Sequence, residues 1–315
     1  MRYIYLVYFL LLGTSLFAQS LPDIDSSLLM KDIATLSSDK YEGRRTGTRG
    51  NRLAQFYILD RFKQIGLSQF HNTYEQAFYF QRRDEKLMGT NLYGYIKGKL
   101  DSVIVISAHY DHLGIRKGSP EADSIYNGAD DNASGVGAML AMAAYFKQNP
   151  PLYSMIFAAL DAEEMGLQGA AAFTRQLPVS KNRIVLNINM DMVSHNDKNE
   201  LYVCGTQHYP ALRSIVQAAA VKSPVKLLCG HDLPGSGHDD WTNQSDHYEF
   251  HQIGIPFLYF GVEDHPDYHR ASDEFEHITP GFYYHAVQSI IEVVNAYEAE
   301  TYKQAGKELK IYENR

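Results

Sequence analysis

Val103-Ile-Val-Ile-Ser-Ala-His109-Tyr-Asp111-His112 is an apolar, β-branched run that ends abruptly in ionisable residues. The run is short and strand-forming, and its tail carries imidazole and carboxylate groups where a connecting loop would begin. The same arrangement returns twice. Residues 155–160 run into Asp161-Ala-Glu163-Glu164, and residues 184–188 run into Asn189-Met-Asp191-Met192. In open α/β sheets, ligands bind beyond the carboxyl ends of the strands. Three successive strands that end in potential metal ligands therefore point to a fold and a site together.

Between the first two strands lies Gly128-Ala-Asp130-Asp131-Asn-Ala-Ser-Gly135, which opens a small-residue apolar segment at 135–146 that reads as a buried helix. Acidic residues at a helix start are electrostatically favoured, which accounts for one Asp. Two adjacent Asp in a glycine-bounded turn need a further reason. The pair Glu163-Glu164 poses the same question, because adjacent carboxylates at the end of an apolar strand repel unless a cation separates their roles. Further helices are expected at 26–35, 51–66, 167–177, 211–221 and 282–302, with a late strand at 255–260. In the second, Leu53, Phe56, Tyr57, Leu59, Phe62 and Ile65 recur at helical spacing and Gly66 is a natural stop. Alternating strand and helix predicts one α/β domain, residues 19–315, with a mostly parallel central sheet and helices on both faces. The glycine-rich stretch 42–50 lacks the Lys-Ser/Thr ending of a phosphate loop and reads as a packed connection near the site.

Composition narrows the partners. Of 315 residues 45% are hydrophobic and 21% charged, so one large domain can build its core without disulfides. The formal charge of −8, with no basic stripe, argues against a nucleic-acid partner. Arg2 followed by an apolar run at 4–17 and Ala18-Gln19-Ser20 reads as a secretory signal, residues 1–18. Leu16 departs from the small residue usual before a cleavage site, and an uncleaved anchor is the competing reading. Export to the periplasm or outside the cell, with no stable membrane partner, is the expectation. Cys204 and Cys229 allow one disulfide or two buried thiols.

Taken in order, His109-x-Asp111, Gly128-Ala-Asp-Asp-Asn-Ala-Ser-Gly135, Glu163-Glu-x-Gly166-Leu-x-Gly169, Met190-Asp-Met192, Ser245-Asp-His247 and His269-x-x-x-Asp273 resemble the co-catalytic dizinc metallopeptidases. The bacterial leucyl aminopeptidase typifies that family, and glutamate carboxypeptidase and glutaminyl cyclase are related to it. The resemblance covers roughly residues 91–290, and it implies an exported zinc exopeptidase, most simply an aminopeptidase with a peptide substrate and two zinc ions per chain. It makes Asp131 the bridging ligand, His109 and Asp191 the terminal ligands of one ion, and Glu164 and His269 those of the other. Asp111 would orient His109, Ser245 would do similar supporting work for Asp191, and Asp273 is a further supporting group. Glu163, beside a ligand without being one, is the expected general base acting on a water or hydroxide between the ions.

The chain has 13 His, and His265 and His247 compete with His269 for its place. Trp241, in a glycine-hinged loop, reads either as the wall of a substrate pocket or as an exposed loop residue. Glutaminyl cyclisation and carboxypeptidase activity stand as alternatives on the same fold. A binding module that has lost catalysis fits poorly, since every proposed ligand is present. The preferred N-terminal residue, the native metal, the oxyanion donor and the oligomeric state are open at this level.

Overall fold

The computed structural model describes residues 21–116, 118 and 123–313; the signal expected at 1–18 lies outside the described residues. Ten strands are described, namely β1 (Glu75–Arg82), β2 (Glu85–Ile96), β3 (Leu100–His109), β4 (Gly114–Ile115), β5 (Ile125–Tyr126), β6 (Tyr153–Leu160), β7 (Ile184–Met190), β8 (Glu200–Cys204), β9 (Lys226–Cys229) and β10 (Phe257–Gly261). Helices are α1 (Ser26–Leu36), α2 (Arg49–Ile65), α3 (Gly135–Gln148), α4 (Gln168–Arg175), α5 (Arg213–Ala220), α6 (His247–Gln252) and α7 (Pro280–Glu313). Each expected strand and helix forms, with ends shifted by a few residues, except that α7 runs on to Glu313, past the expected end at 302. Gly66 ends α2 in the left-handed conformation that a glycine takes without strain.

Eight strands make one sheet in the order β1-β2-β6-β3-β7-β10-β8-β9, and β4 pairs only with β5. The centre, β6-β3-β7-β10, is parallel, as is β8 with β9. Antiparallel pairs join β1 to β2, β2 to β6, and β10 to β8, so the sheet is mixed with a parallel heart. The β1–β2 hairpin goes beyond the sequence expectation. Its first strand shows period-two burial, with Gln76, Phe78 and Phe80 inward and Glu75, Ala77 and Tyr79 outward.

Side chains of β3 sort strictly by parity. Ile104, Ile106 and Ala108 join the large core beneath α1, α2, α3, α5 and α7, whereas Val103 and Val105 join the smaller core under α4 and α6. The same alternation in β6 sends Met155, Phe157 and Ala159 to one face and Ile156, Ala158 and Leu160 to the other. Helices therefore cover both faces. From β3 the chain crosses by α3 to β6 on one side, then returns by α4 to β7 on the other. The crossover direction reverses at β3, which opens a crevice at its carboxyl end. His109 lies opposite Leu160 in register, and Ser107 lies opposite Asn189, so all three acidic tails leave the same sheet edge.

Candidate metal centre

The turn between β5 and α3 aims Asp131 into this crevice, and several groups hold it rigidly. Gly128 has φ 56°, and a Cβ there would meet Asp131 O at 2.0 Å and the His112 ring at 2.5 Å. Only glycine fits. The fully buried Arg44 donates to Gly128 O at 2.9 Å, Asn127 O at 2.5 Å, Tyr110 O at 2.9 Å and Leu36 O at 2.9 Å. Asp273 accepts from the Asp130 and Asp131 amides at 2.8 and 3.0 Å. Asn132 donates to Met190 O at 3.0 Å and accepts from the Gly135 amide at 2.9 Å, tying the turn to β7 and α3.

Asp131 then faces two groups at once. Its Oδ1 lies 3.5 Å from His109 Nε2, which is itself 3.3 Å from Asp191 Oδ1. Its Oδ2 lies 3.1 Å from His269 Nε2 and 3.7 Å from His112 Nδ1. Glu164 Oε1 closes the second group, 2.8 Å from His112 Nδ1 and 3.5 Å from His269 Nε2. Glu163 and Glu164 are aimed from β6 by their amides, which donate to the two Asp111 oxygens at 3.0 and 3.3 Å. Three residues here hold positive φ without being glycine: Ala162 (58°), Met192 (58°) and His269 (55°). Such strain is retained where the surroundings enforce a particular side-chain direction.

The donor set fits a pair of divalent cations. His109, Asp131 and Asp191 each offer an atom within 4.8 Å of the others, as do His112, Asp131 and Glu164. Buried Asp191 Oδ1 and His112 Nε2 have no hydrogen-bond partner, and Glu164 Oε1 and His112 Nδ1, though 2.8 Å apart, are not aligned for a hydrogen bond, an unusual state for buried polar atoms that metal ligation would relieve. Charge tells the same story. Burial alone would lower His269, but Asp131 and Glu164 outweigh it and push it up to about 10. His109 is likewise raised despite burial, by Asp191 and Glu163. Burial raises Glu163, reinforced by Asp191 and Glu164, while His112 and His269 outweigh burial and lower Glu164. Carboxylates gathered this closely draw in positive charge, as protons or as cations.

All five expected ligands, His109, Asp131, Glu164, Asp191 and His269, converge, and Glu163 lines the same cleft of about 240 Å³. Asp111 lies beside His109, with Oδ1 3.6 Å from Nδ1, but its carboxylate accepts from the Glu163 and Glu164 amides and Thr46 Oγ1, and His109 Nδ1 faces the Asp111 backbone oxygen at 3.2 Å. Asp273 supports the Asp131 turn by accepting from the Asp130 and Asp131 amides. Ser245, expected beside Asp191, instead accepts from Asn189 Nδ2 at 2.9 Å. Of the competing histidines, His265 pairs with Asp130, and His247 is buried against Tyr259 and contacts Trp241 O. Trp241 is buried and walls the cleft, its ring stacked 3.6 Å from His231. Both cysteines are free thiols.

Three further residues matter that the sequence reading does not single out. His112 sits inside the quoted His109-Tyr-Asp111-His112 run, and its proximity to a ligand was the available signal. Asp246, between Ser245 and His247, is wholly buried with neither oxygen hydrogen-bonded, and burial with Asp111 and Asp191 nearby pushes it up to about 8. Arg44 lies in the glycine-rich stretch, whose expected proximity to the site is observed: Thr46 Oγ1 donates to Asp161 at 2.8 Å.

Known proteins share this architecture. A glutaminyl cyclase from Bacteroides thetaiotaomicron superposes with a TM-score of 0.72 at 20% identity, covering 87% of this chain and 99% of that one. A Zn-dependent exopeptidase from Parabacteroides distasonis superposes with a TM-score of 0.71 at 19% identity, covering 87% and 99%. In sequence, aminopeptidase YwaD of Bacillus subtilis is 33% identical over 193 residues, which is 58% of this chain and 38% of YwaD. The chain thus spans less than half the length of the curated relatives it matches first. The model of peptidase family M28 matches residues 91–294, well over half the chain, and with the convergent site above this places the protein in peptidase family M28.

Proposed function

We propose that this protein is a zinc-dependent aminopeptidase with two ions in one cleft. The observation that carries the reading is Asp131, whose two oxygens face separate donor groups with Glu163 lining the same cleft. His109 and Asp191 would hold one ion, Glu164 and His269 the other, and Asp131 both, with His112 packed beneath the second. Bound there as a pair, zinc ions would supply Lewis acidity that lowers the pKa of water toward neutrality and polarises a peptide carbonyl. Glu163 takes the proton from the attacking water and delivers it to the departing amine nitrogen. Burial suits it to the first half of that exchange, because a carboxylate whose pKa is raised above its ordinary range is a stronger base, and the departing amine nitrogen is basic enough to take the proton on.

The cleft supports cleavage at a chain end. At about 240 Å³ it lies below the roughly 300–1,000 Å³ of a typical ligand pocket. Met192, Trp241, Tyr259, Val262 and Tyr268 give it an apolar, aromatic wall for one side chain. Among the described lining residues there is no Lys or Arg, which weighs against capture of a C-terminal carboxylate, while Asp264 suits an α-ammonium group. The fold likeness to a glutaminyl cyclase favours one second reading, cyclisation of N-terminal Gln. Residues 1–18 as an export signal belong to the same proposal; among the described residues no helix is long and apolar enough to cross a membrane. Sequencing the N-terminus of the mature protein checks the signal.

A panel of aminoacyl, N-acetylated and N-terminal Gln peptides, assayed with and without chelator, tests the reading. Chelator-sensitive release of N-terminal residues from free-amine peptides is expected. Cleavage confined to N-acetylated peptides, or pyroglutamate formation without hydrolysis, would overturn it.

A further inference from the structure

Beside the cleft, a second histidine cluster is built from the segment after β7 and the loop that follows β10. His195, His265 and Asp267 each present an atom within 4.8 Å of the others. The two imidazole rings lie 3.9 Å apart and are tilted by 26°. Asp267 Oδ2 is 3.9 Å from His195 Nδ1 and 3.5 Å from His277 Nδ1, while its Oδ1 accepts from Ser272 Oγ at 2.6 Å.

The deciding atom is His265 Nδ1. The His265 side chain is only 8% exposed, and its Nε2 donates to Asp130 Oδ2 at 3.0 Å. Asp130 is in turn fixed, since its Oδ1 accepts from the Ser194 amide at 2.7 Å and from Ser194 Oγ at 2.8 Å. A carboxylate on Nε2 sets the tautomer and leaves the Nδ1 lone pair directed away from it. That nitrogen is buried and has no hydrogen-bond partner. A carboxylate holding one ring nitrogen while the other stays free is the arrangement found behind metal-ligating histidines. By contrast, His231 uses both nitrogens on the exposed Asp239 and Glu263, so an ion pair explains it fully.

We propose that His195, His265 and Asp267 form a third metal site, separate from the cleft pair, for a divalent transition-metal ion such as zinc. Two imidazoles and one carboxylate select zinc, nickel or copper over magnesium or calcium. An ion there ties the loop that carries His269 to the segment after β7. All three residues are partly exposed, so the ion can enter from solvent.

Zinc counting on the full chain tests this independently of the peptidase reading. The protein is stripped with chelator and dialysed against zinc at mildly alkaline pH. Alkalinity matters because Asp130 outweighs burial and holds His265 above the ordinary histidine range, so a proton competes for the lone pair. Native mass spectrometry should count three ions in the wild type and two in both His195→Ala and Asp267→Asn. A His109→Ala/Glu164→Ala double variant should keep one ion, lost on adding His195→Ala. Equal counts in wild type and His195→Ala would overturn the proposal. So would an ion kept by the cleft double variant that His195→Ala does not remove. His195 is at the surface side of the cluster, with its side chain 23% exposed, so its variant should fold even where Asp267→Asn does not. A wild type that binds a single ion, lost in His195→Ala, would refute the two-ion peptidase reading alone.

Discussion

Arg44 carries a full charge in a place where no water can reach it. Burial lowers its pKa to about 10 against the pull of Asp131, Asp273, Asp111 and Glu164, so it stays protonated at neutral pH. Its guanidinium serves four backbone carbonyls at once, which a lysine ammonium cannot do. Arg44→Met should therefore cost on the order of 3–5 kcal/mol in a urea unfolding series, and Arg44→Lys should recover little of it. Glu163→Gln makes the opposite case. It should keep stability and zinc content while kcat falls by roughly 10²–10⁴-fold, with KM little changed. Steady-state kinetics beside metal analysis checks both halves. Glu163 was legible because it stands beside Glu164 at the end of an apolar strand. Asp246 was not, because nothing local separates it from the many other acids, and His112 offered only its nearness to His109; the folded chain shows that both Asp246 oxygens are buried without hydrogen bonds.

Among the elements, the turn 128–135 does more than any helix to build the site. It is held by Arg44 below, Asp273 from the loop before α7, and Asn132 reaching β7. Gly128→Ala would drive a methyl into Asp131 O and the His112 ring. It should lower stability by more than the roughly 1–2 kcal/mol that left-handed strain alone costs, and should weaken zinc retention. Gly254→Ala is the matched comparison: φ is +78°, no atom lies within 4 Å of the added carbon, and only the strain should appear. Urea midpoints with zinc counts separate the two. The central strands were readable because each is a short apolar run ending in ionisable residues. Strand β1 was harder to find, since its buried set alternates with Glu, Ala, Tyr and Gln, and the Arg82-Arg83-Asp84 that closes it reads as a charged turn and not as a ligand-bearing tail. The role of Ser245 was misplaced for a related reason: spacing says which residues are near in sequence, and its actual partner is Asn189, while Asp273 supports the Asp131 turn through its backbone amides.

At the scale of the whole molecule, the protein concentrates buried acids at one sheet edge and tolerates them through hydrogen bonds. Asp161 accepts from Thr46 Oγ1, Asn51 Nδ2 and the Thr90 amide, yet burial and Asp111 still push it up to about 7. In unfolded chain an Asp titrates near its ordinary value of 3.8. Between about pH 4 and 7 the folded state thus binds the extra proton, and stability should fall as pH rises through that window. Chelator-treated protein should show this slope in urea midpoints, and Asp161→Asn should flatten it. The parallel heart and two covered faces were legible from alternation alone. The antiparallel flanks β1–β2 and β10–β8 depend on which edges remain unpaired once the centre is built, which no local pattern records.

Zinc-edge anomalous scattering from crystals of the zinc-loaded protein examines the cleft most directly. Two peaks are predicted, one among His109, Asp131 and Asp191 and one among Asp131, Glu164 and His269, with the Asp131 carboxylate between them. A single peak in the cleft, or peaks that leave Asp131 unligated, would contradict the account.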